Sequence, residues 1–313
     1  MHTNDIGNRR ITHRPISRMG IAIMNQQLLQ YQWAELPFTA VELTLESMQS
    51  TWQRLHIGNN ESFPDYDSLI QETQKYPILA ASIGNQPLQE IAETLQQAWL
   101  DFHLGKYQSA TELALSTGLF GLNLASKAMA IYATHLETNE SLKLKLFVQA
   151  TELAEHAIEI MPDNPDSHYN RAYALGRYSQ GISITKALAE GYGNKVKDSL
   201  TKTIELDPNH AEAHIALGTY HAEIIDQVGR LVASISYGAS KDEGLKHFRT
   251  AIRIAPDFPI AYTQYADGLL MMFGPGKLKE AQQLYTKASE NDVVDAMEQI
   301  DQQTAIDELA AIN

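Results

Sequence analysis

Three histidines on one predicted helix are the first candidates for chemistry in this sequence. His210, His214 and His221 lie four and seven residues apart, and this spacing places side chains on one face of a helix. Imidazole nitrogens in such positions can bind zinc. However, His210 directly follows a helix junction at Pro208, and no group that would orient the imidazoles can be identified. We therefore expect these histidines to pack in the structure, and the sequence predicts no metal site.

Three glycine-rich segments that end in lysine are candidates for phosphate binding. They span residues 191–195, 237–241 and 273–277. None has the G-x-x-x-x-G-K-[ST] spacing and none follows a predicted strand, so we interpret them as turns between paired helices. The sequence also lacks a nucleophile elbow, a Ser-His-Asp arrangement and a carboxylate pair with an acid–base partner. It predicts a protein that is not an enzyme, with no catalytic residue and no cofactor.

The charge of the chain restricts its partners. The net charge is −14 over 313 residues. Residues 1–18 hold four arginines and one aspartate, a local charge of +3 that leaves −17 for the rest. An acidic surface repels phosphates and anionic lipids, so we expect no nucleic-acid partner. No apolar stretch is long enough for a membrane span and no secretory signal is evident, so we expect a cytoplasmic protein. Cysteine is absent, which excludes disulfides.

The sequence contains an internal repeat. Pro162, Pro208 and Pro256 each close an amphipathic segment, with spacings of 46 and 48 residues. Each proline is followed by a new segment with helical periodicity, as in the run that contains Leu217 and Gly218. An internal period of this kind indicates an array of helix pairs in which neighbouring units bury a shared core.

Residues 95–110 carry the resemblance to a known family. Ala98 and Ala110 would allow two helices to approach closely, Gly105 would form the turn, and Tyr107 would fill the space beneath it. The segment resembles a tetratricopeptide repeat (TPR). This resemblance implies an all-α fold, a right-handed superhelix of antiparallel helix pairs forming a TPR-like solenoid. We expect a basic disordered tail (1–24), an N-terminal helical cap (25–86), about five TPR-like helix pairs (87–291) and a C-terminal capping helix (292–313).

The last helix and two insertions give more specific expectations. Asp292 is a plausible N-cap of the C-terminal helix, and Glu298 and Asp301 are expected on its polar side. The third and fourth units exceed the family period of about 34 residues by about 12 and 14 residues. The extra residues, 181–193 and 228–238, are apolar. Because apolar positions continue in helical phase from 225 to 235, the sequence predicts two elongated first helices of about 25 residues.

A second resemblance covers residues 166–290. Residues 195–206, 213–223 and 241–252 resemble the T component of tripartite ATP-independent periplasmic (TRAP) transporters. That family is a TPR-type helical array, and the resemblance implies handling of an apolar ligand beside a solute receptor.

The concave face of the array is the expected binding surface, because TPR arrays bind partners there. Family members that bind the C-terminal carboxylate of chaperones do so with Lys and Asn side chains. In place of the lysines this chain has Tyr169, Ile215 and Thr263, and in place of the asparagines it has Tyr173, Thr219 and Asp267. We therefore do not expect this chain to bind a carboxylate in that way. Aromatic and acidic side chains suit an apolar or cationic ligand better. By the register of the family, the candidate ligand- or partner-binding residues are Tyr169, Tyr173, Arg177, Gln180, Glu212, Thr219, Glu223 and Asp226.

Two functions follow from this surface. The first is a non-enzymatic scaffold that binds a protein or peptide in an open groove. The alternative is a binder of a small apolar molecule in an enclosed tunnel, as the resemblance to the T component implies. The apolar insertions could also form a subunit interface. The tunnel would be lined by apolar residues of the insertions and their neighbours, namely Ile182, Ile184, Leu188, Ile224, Leu231 and Ile235.

Overall fold

A computed structural model describes residues 31–84 and 86–312. These residues form helices joined by short turns, and no strand occurs among them. The predicted basic tail, residues 1–24, lies outside the described residues. No helix in the described ranges is both long and apolar enough to cross a bilayer.

Five helix pairs and a final helix make up the array, which confirms the predicted all-α, TPR-like solenoid. In residues 31–84 four short helices precede it: α1 (Leu45–Ser50), α2 (Trp52–Leu55), α3 (Tyr66–Lys75) and α4 (Pro77–Ser82). The pairs are α5 (Leu88–His103) with α6 (Tyr107–Ser116), α7 (Leu122–His135) with α8 (Glu140–Ile160), α9 (Pro165–Gln180) with α11 (Tyr192–Leu206), α12 (Ala211–Val228) with α14 (Lys241–Ile254), and α15 (Pro259–Phe273) with α16 (Leu278–Ser289). Helix α17 (Ala296–Ala311) closes the array, and α10 (Ile184–Ala189) and α13 (Arg230–Tyr237) lie in the two insertions.

Side-chain caps set where the helices begin. Asn139, Asn164 and Ser240 each accept a hydrogen bond from the backbone N–H three residues further on, at 3.1, 3.1 and 3.2 Å. Such a cap stabilises a helix by about 1 kcal/mol, because it satisfies an N–H that has no partner within the helix. The cap of α17 is Asp295, at 2.8 Å from the N–H of Glu298. The sequence-based choice of Asp292 was therefore wrong by one turn.

Small residues lie where the paired helices cross. Ala98, Ala110 and Ala251 have no exposed surface, and Tyr107 is 2% exposed beneath the first turn. A helix pair can approach this closely only where the side chains between the backbones are small. The packing positions predicted from the TPR pattern are thus the buried ones.

The predicted elongated helices do not form. Helix α9 has 16 residues and α12 has 18, against the expected 25 or so. Gly229, with φ of 78°, ends α12 and turns the chain into a separate helix, α13. The apolar periodicity of the sequence continues past this glycine, but the helix ends there. As a result Leu231 and Ile235 are 73% and 76% exposed and do not line the cavity described below, whereas Ile182 and Ile224 do. The side chains of Ile184 and Leu188 lie outside the described part.

Part of the predicted N-terminal cap lies in the groove, whereas its helices α3 and α4 pack against the first helix pair and the turn that follows it. Residues 45–60, here called the strap, cross the face formed by the first helices. The carbonyl of Gly58 accepts the N–H of Glu212 at 2.9 Å, and Asn60 donates to Asp207 at 2.9 Å. A Cβ on Gly58 would lie 2.8 Å from side-chain atoms of Glu212 and Phe258. Only glycine therefore allows the strap to lie this close.

The strap also joins the two ends of the chain. The Arg54 guanidinium donates to both carboxylate oxygens of Glu298 on α17, at 2.5 and 2.9 Å. It also donates to the carbonyls of Asp257 and Asp292, at 3.1 and 3.3 Å. The two-point geometry fixes the direction of α17 relative to the strap, because both oxygens must meet the planar guanidinium at once.

Candidate functional site

The strap, the first helices and α17 line a cavity of about 460 Å³ that is partly open to solvent. This volume lies within the range of small-ligand sites. Seven of the eight predicted binding residues line it, whereas Asp226 is exposed and lies outside the cavity. The structure thus brings these seven side chains to the wall of one cavity. They are Tyr169, Tyr173, Arg177, Gln180, Glu212, Thr219 and Glu223.

The predicted residues on α9 and α12 bind one another across the cavity. Gln180 donates to Glu223 at 2.6 Å, and Arg177 donates to Gln180 at 3.2 Å. The guanidinium of Arg177 lies 5.3 Å from the Tyr173 ring centre. Burial opposes the charge on Arg177, but Tyr173 and Glu223 outweigh it and raise the pKa. Burial raises the pKa of Glu223, and Gln180 and Arg177 partly oppose this rise.

Lys127 is a site residue that the sequence analysis missed. It lies on α7 among buried neighbours and contacts both carboxylate oxygens of Glu212, at 3.0 and 3.1 Å. Burial lowers its pKa, but Glu212 and Asp166 more than offset this effect, so the pKa is raised. The available indication was a lysine within the largely apolar run 122–133. Without a register for the second unit, that lysine had no assigned face.

Helix α17 contributes two acidic groups that were expected on its polar side. Glu298 and Asp301 are 4% and 2% exposed and line the cavity. Burial raises the pKa of Glu298 to about 7, although Arg54 opposes this. Burial, Asp295 and Glu298 together raise the pKa of Asp301 well above its usual range. The polar side of α17 therefore faces the cavity at these two residues, and Arg54 of the strap contacts Glu298 there.

A chain of buried polar groups runs from α17 through the strap to α9. Asp295 contacts His103 at 2.8 Å, and His103 contacts His56 at 3.2 Å through their Nε2 atoms. His56 Nδ1 lies 3.1 Å from the side-chain oxygen Oδ1 of Asn59, and the side-chain NH2 group of Asn59 donates to Asp166 at 2.8 Å. With this amide orientation His56 carries its proton on Nδ1, so His103 donates through Nε2. Burial and His103 lower the pKa of His56, which keeps that ring neutral.

The three histidines considered first for metal binding serve structural contacts. His210 caps α12 by accepting the N–H of Ala213 at 3.1 Å, and His214 contacts His247 at 2.9 Å. The His221 ring lies parallel to that of His247, with centres 6.0 Å apart. Within the described ranges, no group of three or more His, Asp or Glu side chains is placed to hold a metal ion.

The glycine–lysine segments lie at turns, as the sequence analysis proposed. Gly191, Gly238 and Gly274 have positive φ angles of 66°, 59° and 68°. Each stands shortly before the second helix of its pair. The glycines therefore reverse the chain between helices.

Comparisons with known proteins identify the family of the chain. Residues 120–311 match the family model described as regulator of microtubule dynamics protein 1-3. A crystal structure of a thermophilic TPR protein from Thermus thermophilus superposes with a TM-score of 0.51 at 18% identity, covering 69% of this chain and 98% of that one. At this identity the match concerns the fold alone. A search of curated proteins gave no match. The resemblance to the TRAP T component stays a prediction, since the matching family model is a different one.

Proposed function

Because the chain belongs to the family described as regulator of microtubule dynamics protein 1-3, we propose that it is a non-enzymatic helical-repeat protein that binds a protein partner. TPR-like arrays offer a surface for binding and no chemistry of their own. The strap occupies much of the concave face, however. A folded partner therefore needs another surface.

The exposed apolar face of α13 is the observation that supports this proposal. Leu231, Val232 and Ile235 are 73%, 47% and 76% exposed. Ile235 is four residues from Leu231 and three from Val232, and these spacings place all three side chains on one side of the helix. Burying large aliphatic side chains is favourable by about 1.5–3 kcal/mol each. A clustered apolar face left open to water is typical of a protein interaction site.

The test compares a double variant with a matched control. Leu231→Asp/Ile235→Asp places two charges on α13, and Ile78→Asp alters a residue of α4 that is 54% exposed. We expect unchanged folding in all three proteins, since these side chains bury little surface. Affinity capture and microtubule co-sedimentation should show a partner bound by the wild type and by Ile78→Asp, and lost from the double variant. Equal capture by the double variant would contradict the proposed surface, and sedimentation analysis separates a second copy of this chain from another protein.

The cavity favours a second function, the binding of a small ligand. We propose this as the alternative because seven of the predicted residues line one cavity, and its volume of about 460 Å³ is that of a small-ligand site. Native mass spectrometry of the purified protein tests it. A retained molecule of fixed mass that is released on unfolding would support the alternative, and uniformly empty protein from several expression hosts would count against it.

A further inference from the structure

Among the described residues, one carboxyl side chain on the cavity wall has no hydrogen-bond or ion-pair partner. Asp301 lines the cavity and is 2% exposed. No hydrogen bond or ion pair joins its carboxyl group to any residue in the described ranges. A buried carboxyl without a partner is costly, because burial removes the water that would otherwise solvate it.

Every other charged group on the cavity wall is engaged. Glu212 contacts Lys127 at 3.0 Å, Glu298 contacts Arg54 at 2.5 Å, and Asp295 contacts His103 at 2.8 Å. As described above, Glu223 and Arg177 both bind the side-chain amide of Gln180. Within the described ranges, the cavity wall thus satisfies its own charges with the single exception of Asp301.

The charges around Asp301 favour a positive guest. Besides burial, Asp295, Glu298 and Glu212 each raise the pKa of Asp301, and Arg177 lowers it by less than any of the three carboxyls raises it. Asp301 also contributes to raising the pKa of Tyr107 on α6, after burial and Asp295. This surplus of acidic groups raises the pKa of Asp301, and a cation at this point would relieve the repulsion.

The remaining wall suits an organic cation better than a metal ion. Ile131, Ile215 and Met297 give an apolar surface, and Tyr169 adds an aromatic ring. A metal ion would need several ligands, whereas Asp301 alone is free. An ammonium or guanidinium group needs only one carboxylate and can carry an apolar body that fills the rest of the cavity.

We infer that the cavity binds an organic ligand through a primary ammonium or guanidinium group that donates to the carboxylate of Asp301. The inference rests on the alternative function proposed above, a ligand in the cavity. The same chemistry is offered by a free amine and by a lysine side chain of a peptide. The apolar body of the ligand lies against Ile131 and Ile215.

The experiment compares two probes that differ in charge alone. 4-Phenylbutylamine carries the ammonium group, and 4-phenylbutan-1-ol has a similar shape without the charge. Ligand-observed nuclear magnetic resonance on the full chain gives both affinities. A hydrogen bond to a charged group is worth enough for at least about a tenfold preference for the amine. Acetyl-lysine-amide, measured alongside, shows whether a peptide side chain can supply the same group.

Asp301→Asn is the decisive variant, and Asp307→Asn is its control. Asp307 is an exposed residue of the same helix, so the control removes the same charge away from the cavity. We expect Asp301→Asn to lose the preference for the amine while still binding the alcohol, and Asp307→Asn to behave as wild type. Equal binding of amine and alcohol by the wild type would overturn the role of charge but leave the cavity as a ligand site. Absence of binding by both probes would overturn the inference and the alternative function together.

Discussion

The packing of Phe248 between two glycines predicts opposite effects for two similar substitutions. Phe248 is fully buried on α14. A Cβ added at Gly218 on α12 would lie 2.8 Å from two of its ring carbons, and a Cβ at Gly268 on α15 would lie 2.5 Å from the ring. The ring cannot retreat from one helix without meeting the other. Gly176 on α9 is different, since its added Cβ would meet only Val196, at 3.9 Å.

These distances give the expected size of the effect on the free energy of unfolding. Alanine is a better helix former than glycine by about 1 kcal/mol. Overpacking a buried site costs about 1–3 kcal/mol, and the blocked ring places Gly218→Ala in the upper part of that range. The net result is a loss of about 1–2 kcal/mol for Gly218→Ala. Gly176→Ala avoids the overpacking and should gain about 0.5–1 kcal/mol.

Urea unfolding followed by far-ultraviolet circular dichroism measures both variants. A Phe248→Leu background completes a double-mutant cycle, because the smaller side chain makes room for the new methyl group. Gly218→Ala should then cost little or nothing. If Gly218→Ala proved as stable as Gly176→Ala in the wild-type background, the ring would be free to move and the reasoning would be refuted.

Three further predictions concern the strap and the helix ends. Arg54→Met leaves Glu298 without its cation, so we expect a loss of about 1–3 kcal/mol and faster proteolysis of the strap. The folded-state pKa of Asp301 is raised above its usual value of 3.8. Wild-type stability therefore falls as the pH rises from 3.8 towards the raised pKa, because the unfolded chain loses this proton first. Asp301→Asn, which stays neutral, should therefore melt above wild type at about pH 8, and the difference should shrink towards about pH 4. Asn164→Ala should cost about 1 kcal/mol in urea unfolding, and Asn164→Asp, which keeps the cap, should cost less.

The helix pairs were predictable because their causes are local. The prolines at 162, 208 and 256 and the cap at Asn164 act within a few residues of the chain. The small side chains at the crossings follow from the helical period together with the TPR pattern. The same register located seven of the residues that line the cavity. The prediction for Asp226 was wrong because this residue lies on the last turn of α12, where its side chain is exposed to solvent and does not line the cavity.

Contacts between distant parts of the chain decided the rest. The periodicity of residues 225–235 favours one long helix, yet Gly229 turns the chain and leaves Leu231 exposed. By itself, therefore, the sequence determined the helical pairs and the face of each first helix, since helix formation, capping and amphipathic periodicity depend on near neighbours. Only the tertiary structure decided that the strap fills the groove, turning an open surface into a cavity and burying Asp301 of α17. That outcome depends on contacts such as Arg54 with Glu298, 244 residues apart, which no local pattern in the sequence records.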